Sequence, residues 1–369
     1  MPLVRYIYRA FNSLNRCGAL TYIGHPILKN TNLEWQNWPD YRNQQAIADV
    51  GVFHRYDAYY RPDTPYLAGE QFGISQLLSD KHIPHEFITQ LTGERLSKFK
   101  LLILGNATII DDSEMKALEE FVRNGGKLLI TGTFGSYDCR FAPQSPERYT
   151  RFTGVEFLKN QLPAAGNYRF MGNAITTHRA EIRNLTGKVL EKFSDNTPAL
   201  ICKKYGKGKV FVTPLTPGMA AFEDVVLLGK AYVEVKTAEG SAVLATLLKQ
   251  TGHTVYPVML SGASEKIMIE SSRNTVNGKI NIQLLNFNVP MTLIPGKEPP
   301  RLARKDVTFL PPEKPLKITL QEKIRSASAV SPDYPGEHAL NVKHLANGTS
   351  EITLAPELLK IYTLITIKK

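Results

Sequence analysis

Lys127 to Tyr137 reads KLLITGTFGSY, an apolar strand that runs into a tight turn flanked by Gly132 and Gly135. Such a turn can lift a nucleophilic side chain clear of a sheet, with backbone amides nearby to hold an oxyanion. Thr133 stands at the nucleophile position. A threonine hydroxyl attacks only when a positioned base takes its proton, so the bland reading of Thr133 is a structural turn residue. Cys139 follows in the next loop, between Asp138 and Arg140. A nearby cation lowers a thiol pKa and raises the thiolate fraction, which makes Cys139 the weak candidate for a self-sufficient hydrolase or amidase working in the loop after Gly132. No histidine is close to it in sequence, and a lone loop cysteine is ordinarily inert.

Other chemistries find little to work with. The eight histidines, His25, His54, His82, His85, His178, His253, His338 and His344, show no H-E-x-x-H spacing. His82 and His85 flank a helix-to-strand turn and read as surface caps. Cys17, Cys139 and Cys202 are far apart without a C-x-x-C pair, so neither a zinc site nor a disulfide framework is expected. No GxxxxGK[ST] or GxGxxG fingerprint follows a strand, and no nucleotide cofactor is implied.

The elements that would position these residues alternate strand and helix from Ala46 onward, the pattern of a mainly parallel sheet with helices on both faces. Residues 46–53, AIADVGVF, read as the first strand, 68–82 as a helix, 85–88 as the second strand and 101–105 as a strand buried on both faces. Asp111 and Glu114 are spaced as a capping box ahead of a helix that buries Leu118, Phe121 and Val122 and ends at Asn124-Gly125-Gly126. After Phe134 the chain reads as a long loop with a short helix at 147–152. Residues 199–214 form a hairpin turning at Gly206 and Gly208, and 219–251 are largely helical. From His253 the texture is short strands separated by Gly, Pro and Asn turns, the signature of an all-β sandwich. Residues 1–45 lack periodicity, giving three regions: an irregular segment at 1–45, an α/β domain at 46–252 and a β-sandwich at 253–369.

The chain has 369 residues, 43% hydrophobic, enough for two or three cores. Its net charge of +11 raises the possibility of nucleic acid. The basic residues are spread along the chain, however, and the densest group, Lys203, Lys204, Lys207 and Lys209, falls in the hairpin; a solvated basic surface is expected instead. No run of residues is long and apolar enough to span a membrane. The first residues are interrupted by Arg5, Arg9, Asn12 and Arg16, which makes a poor signal peptide and leads to the expectation of a cytoplasmic protein. Sequons at Asn106, Asn184 and Asn347 matter only if the chain is secreted. Tyr56, Tyr59, Tyr60 and Tyr66 lie after the first strand, where they could stack on sugar rings, line a subunit interface or simply pack a loop.

Three segments, residues 67–132, KYGKGKVFVTP at 204–214 and KINIQLLNFN at 279–288, together resemble the C-terminal half of large glycoside hydrolases related to the beta-galactosidases with a trimerisation domain. The resemblance covers residues 46–369. It implies a flavodoxin-like α/β domain akin to class I glutamine amidotransferases, followed by the β-domain. In the amidotransferases a cysteine occupies the turn position, where this chain has Thr133. Their downstream histidine-x-glutamate element would fall near VTPLTPG, where Thr213, Pro214 and Leu215 supply no base. The family's catalytic barrel needs about 250 residues, and at most its last strand, ALTYIGHPI, could be present. Glu34 and Asp40, the carboxylates of the first 45 residues, are too close together in an irregular stretch to serve as a glycosidase pair. The resemblance therefore implies a truncated or separately encoded, non-catalytic assembly portion of a carbohydrate-processing hydrolase, working as a homo-oligomer or with a barrel-bearing subunit.

Overall fold

The computed structural model describes residues 43–55, 67–159, 162–222, 238–288, 309–331 and 333–369. Two compact units emerge. One is drawn from Asp49–Leu77 and His85–Val255, the other from Met1–Ala48, Leu78–Pro84 and Tyr256–Lys369. Among the described residues the chain is mostly β, with few helices. Trp35, Trp38, Glu34, Asp40, the tyrosines at 56, 59, 60 and 66, Cys17 and His25 lie outside the described residues.

The expected first strand at 46–53 is divided. β1 (Gln44–Ala46) pairs within the second unit, and only β2 (Val50–Phe53) enters the first. Next come α1 (Leu67–Asp80), β3 (His85–Ile88), α2 (Gly93–Leu96), β4 (Leu101–Ile109), α3 (Asp112–Arg123), β5 (Lys127–Tyr137) and α4 (Glu147–Thr153). Five short strands follow: β6 (Val155–Phe157), β7 (Gly166–Phe170), β8 (Asn173–Thr177), β9 (Ile182–Asn184) and β10 (Lys188–Lys192). The unit closes with β11 (Pro198–Tyr205), β12 (Gly208–Thr213), α5 (Met219–Phe222) and α6 (Ala238–Thr251). Its seven-stranded sheet has the order β10-β11-β12-β5-β4-β2-β3. The five strands from β12 to β3 run parallel, and β11 and β10 extend the sheet antiparallel.

Helices on both faces explain why β4 is buried at every position and why its sequence shows no alternation. On one face Leu102, Leu104, Leu128, Ile130, Val210 and Val212 pack against Leu118 and Val122 of α3 and Phe152 of α4. The Asp111 amide donates to Glu114 Oε2 at 2.8 Å, fixing the start of α3. Sequence patterning assigns no strands to β6–β10, which are three to five residues long and too polar to carry a clear period.

The second unit contains β13 (Val258–Ser261), β14 (Ile267–Asn274), β15 (Ile280–Asn286), β16 (Leu316–Leu320), β17 (Ser326–Ser331), β18 (Tyr334–His344), β19 (Ser350–Leu354) and β20 (Tyr362–Lys368). The all-β expectation holds. The two separate sheets of a sandwich, however, are replaced by one curled antiparallel sheet of order β1-β14-β15-β20-β17-β18-β19-β16-β13. The physical reason is β18: its first part pairs with β17 and its second, from Asn341 to His344, with β19, so one strand carries the ladder around a shared core. That core takes Ile269, Ile282 and Ile365 from one part of the sheet and Ile318, Leu320 and Ile352 from the other.

Candidate functional site

The Gly132 turn is not the end of a strand. β5 continues through it to Tyr137, still paired with β4. Between the pairs Gly105↔Thr131 and Ala107↔Phe134, the two residues Gly132 and Thr133 face the single residue Asn106. Between Ala107↔Phe134 and Ile109↔Tyr137, Gly135 and Ser136 face Thr108. Each is a bulge led by a glycine in the left-handed region, with φ of +70° at Gly132 and +66° at Gly135. The motif GTFGS is thus a tandem bulge inside a ladder.

The first bulge is tightly tied. Thr133 is fully buried, and its hydroxyl and amide both donate to Asn106 Oδ1, at 2.6 and 3.1 Å. Asn106 itself has φ +46°, a conformation that asparagine tolerates better than most side-chain-bearing residues. It is also one of the three sequons, but at 3% exposure it is closed to glycosylation in the folded chain. The VTPLTPG segment does lie beside the turn: Gly132 N donates to Leu215 O at 3.0 Å, and a Cβ at Gly132 would sit 2.9 Å from Thr216 Cγ2. His178 comes close through its backbone carbonyl, which accepts from Thr216 Oγ1 at 3.1 Å, while its ring Nδ1 lies 2.6 Å from Pro163 O.

Behind the turn is a carboxyl group that sequence reasoning missed. Glu70 on α1 is fully buried; it accepts from Thr131 Oγ1 at 2.6 Å and from the Met219 amide at 2.8 Å. Burial pushes its pKa up to about 8, against the pull of these bonds and one from the Gly218 amide. The approach depends on glycine: a Cβ at Gly73 would lie 2.0 Å from Gly218 O, so α1 meets the 218–219 turn backbone to backbone. The signal for Glu70 was a lone acid four residues before Ile74 and seven before Leu77, on the stripe that α1 buries. At the next residue of the helix, Gln71 Oε1 lies 2.9 Å from Nδ1 of buried His54 and Gln71 Nε2 donates to Gly105 O. Burial lowers the His54 pKa to about 4, outweighing the Gln71 bond, so the ring is neutral at physiological pH.

The loop carrying Cys139 is organised by acids. Asp111 Oδ1 accepts from the Cys139 amide at 2.7 Å, and Arg55 pairs with Glu114 at 2.6 Å and with Asp111 at 3.6 Å. The hydrogen bond from its thiol to Asp111 raises the Cys139 pKa, and the carboxylate's charge adds to this. Arg140, the cation expected to activate the thiol, is not among the groups that perturb it; the nearest effective cation, Arg55, is outweighed. The partial burial of Asp111 would raise its own pKa, but the Cys139 bonds and Arg55 lower it overall.

Residues 75–228 match the family model of the beta-galactosidase trimerisation domain. That stretch takes in β3, β4, β5 and β12, and hence both bulges. Among solved structures, alpha-L-fucosidase isoenzyme 2 from Paenibacillus thiaminolyticus aligns with a TM-score of 0.60 at 14% identity, covering 92% of this chain and 51% of that one. A catalytic mutant of Gan42B, a GH42 beta-galactosidase from G. stearothermophilus, gives 0.59 at 13% identity over 93% and 43%. The beta-galactosidase from Bacillus circulans sp. alkalophilus gives 0.56 at 14% over 89% and 44%. The chain spans about half or less of each of these proteins. No curated protein matches.

Within the matched stretch, the residues nominated from sequence do not converge. Thr133 is locked in a bulge, Cys139 is exposed with its amide tied to Asp111, and His85 is bound to Ser75 at 2.7 Å. His82 and His85 are buried, not surface caps, and His82 Nε2 lies 3.1 Å from Ser264 O. Among the described residues there is no group of three or more His, Cys, Asp or Glu able to hold a metal, and no helix long and apolar enough to cross a membrane.

Proposed function

We propose that this chain is the assembly portion of a carbohydrate-processing glycoside hydrolase, joining catalytic subunits and performing no chemistry of its own. The match of residues 75–228 to a trimerisation domain carries the reading. The local chemistry agrees with it: the hydroxyl at the nucleophile position is spent on Asn106, and the neighbouring carboxyl, Glu70, is held by structural donors. In chain order the parallel strands run 2-1-3-4-5 across the sheet, which supports the finer reading of a flavodoxin-like domain akin to the class I glutamine amidotransferases. Domain limits at 46–252 and 253–369, a cytoplasmic location and contact with carbohydrate complete the proposal.

The alternative, an amidase or hydrolase using Cys139, is disfavoured by the Asp111 contact, which raises the thiol's pKa where a nucleophile needs it lowered. Size-exclusion chromatography with multi-angle light scattering tests the assembly reading. The expected result is a particle of three times the chain mass, or a complex with a barrel-bearing hydrolase subunit. A monomer at micromolar concentration that captures no such subunit would refute it.

A further inference from the structure

The second bulge differs from the first in a way that points to a ligand. Ile109 and Tyr137 are cross-strand partners and pack into the same small cluster. Strand alternation therefore puts the preceding residues, Thr108 and Ser136, together on the opposite face. Both are deeply buried, at 1% and 3% exposure. Among the described residues, neither Thr108 Oγ1 nor Ser136 Oγ has a hydrogen-bond partner. Other buried threonines of this unit are paired: Thr133 with Asn106, Thr131 with Glu70, and Thr177 with Thr216 at 2.9 Å. A buried hydroxyl without a partner is strongly disfavoured, and two side by side are an exception that needs a cause.

From this pair we infer that Thr108 and Ser136 form a receptor for one further hydroxyl group, at the carboxyl ends of β4 and β5. Each hydroxyl offers one donor and two acceptor positions, so an incoming O–H can accept from one and donate to the other. The carboxyl ends of parallel strands are also where open α/β sheets receive ligands. Two sources supply the same chemistry, an ordered water and a hydroxyl of a saccharide. The inference stands independently of the assembly role, since oligomer state and occupancy of this pair are separate measurements.

The test uses the full chain with Thr108→Val, which keeps the side-chain shape, Ser136→Ala and the double variant. If the pair holds a hydroxyl group, each single variant unfolds about 3 °C below the parent, and the double variant loses less than the sum because both act through one occupant. Unchanged or higher melting temperatures would overturn the inference, since removing a truly unpartnered hydroxyl costs nothing. A high-resolution crystal structure provides the second reading: an oxygen within hydrogen-bond distance of both side chains supports the receptor, and density empty at that point overturns it. Titration with free hexoses separates the sources. A thermal upshift in the parent that vanishes in the double variant assigns a saccharide, and crystallographic occupancy without an upshift assigns water.

Discussion

Glu70→Gln is the most informative single substitution, because it removes a titration and leaves the shape. In the folded chain the Glu70 carboxyl keeps its proton up to about pH 8, whereas its ordinary value is 4.5. Between these values the unfolded state has released a proton that the folded state still holds, so stability falls as pH rises and levels off above pH 8. From 4.5 to neutral pH the interval is roughly 2.5 units, and at about 1.4 kcal/mol per unit this site costs the native state about 3 kcal/mol at pH 7. Glutamine has no proton to lose. Its carbonyl can still accept from the Met219 amide, and its NH2 can donate to Thr131 Oγ1 in place of the present bond. The stability of Glu70→Gln relative to the parent should therefore climb by about 3 kcal/mol between pH 4.5 and pH 7, read from urea unfolding curves at half-unit pH steps. A difference that stays flat across that range, or that favours the parent as pH rises, would show that Glu70 ionises normally and that the burial argument is wrong.

Asn106→Ala strips the acceptor from both the Thr133 hydroxyl and its amide, and chemical denaturation should register a loss of about 3 kcal/mol from two buried donors left unpaired. Gly73→Ala forces a Cβ to within 2.0 Å of the Gly218 carbonyl oxygen; separating α1 from that turn should cost at least about 3 kcal/mol and be visible as a lowered melting temperature. Cys139 should react with iodoacetamide at pH 7 more slowly than free cysteine, because Asp111 raises its pKa. Asp111→Asn should speed that reaction and shift its pH profile downward.

Much of the architecture was legible in the chain because local rules sufficed. The glycines after Asn124 stop α3, the capping pair Asp111 and Glu114 starts it, and the Gly206–Gly208 turn fixes the β11–β12 hairpin. These signals act over a few residues and need no distant partner. β17 and β18 were not legible: the buried positions of SASAVS are the small Ala327 and Ala329, too weakly apolar to mark a core stripe, and β18 is exposed along nearly its whole length and carries no inward-facing period. β1 was misassigned for another reason. Ala46 reads as the start of the following strand and Gln44 and Gln45 as the end of an irregular segment, yet their partners lie on β14, more than two hundred positions away.

The sequence by itself determined the glycines of GTFGS, the threonine at the turn and the lack of a histidine near the cysteine in sequence. Those facts alone fit a disabled elbow. Only the tertiary structure decided that β4 runs alongside and continues the ladder past Gly132, making the turn a pair of bulges. It also decided that Glu70, sixty-one residues upstream of Thr131, is the carboxyl group behind it. The physical reason is that a bulge is defined by the strand opposite and a buried pKa by the groups that exclude water. Neither is a property of the residues that display it.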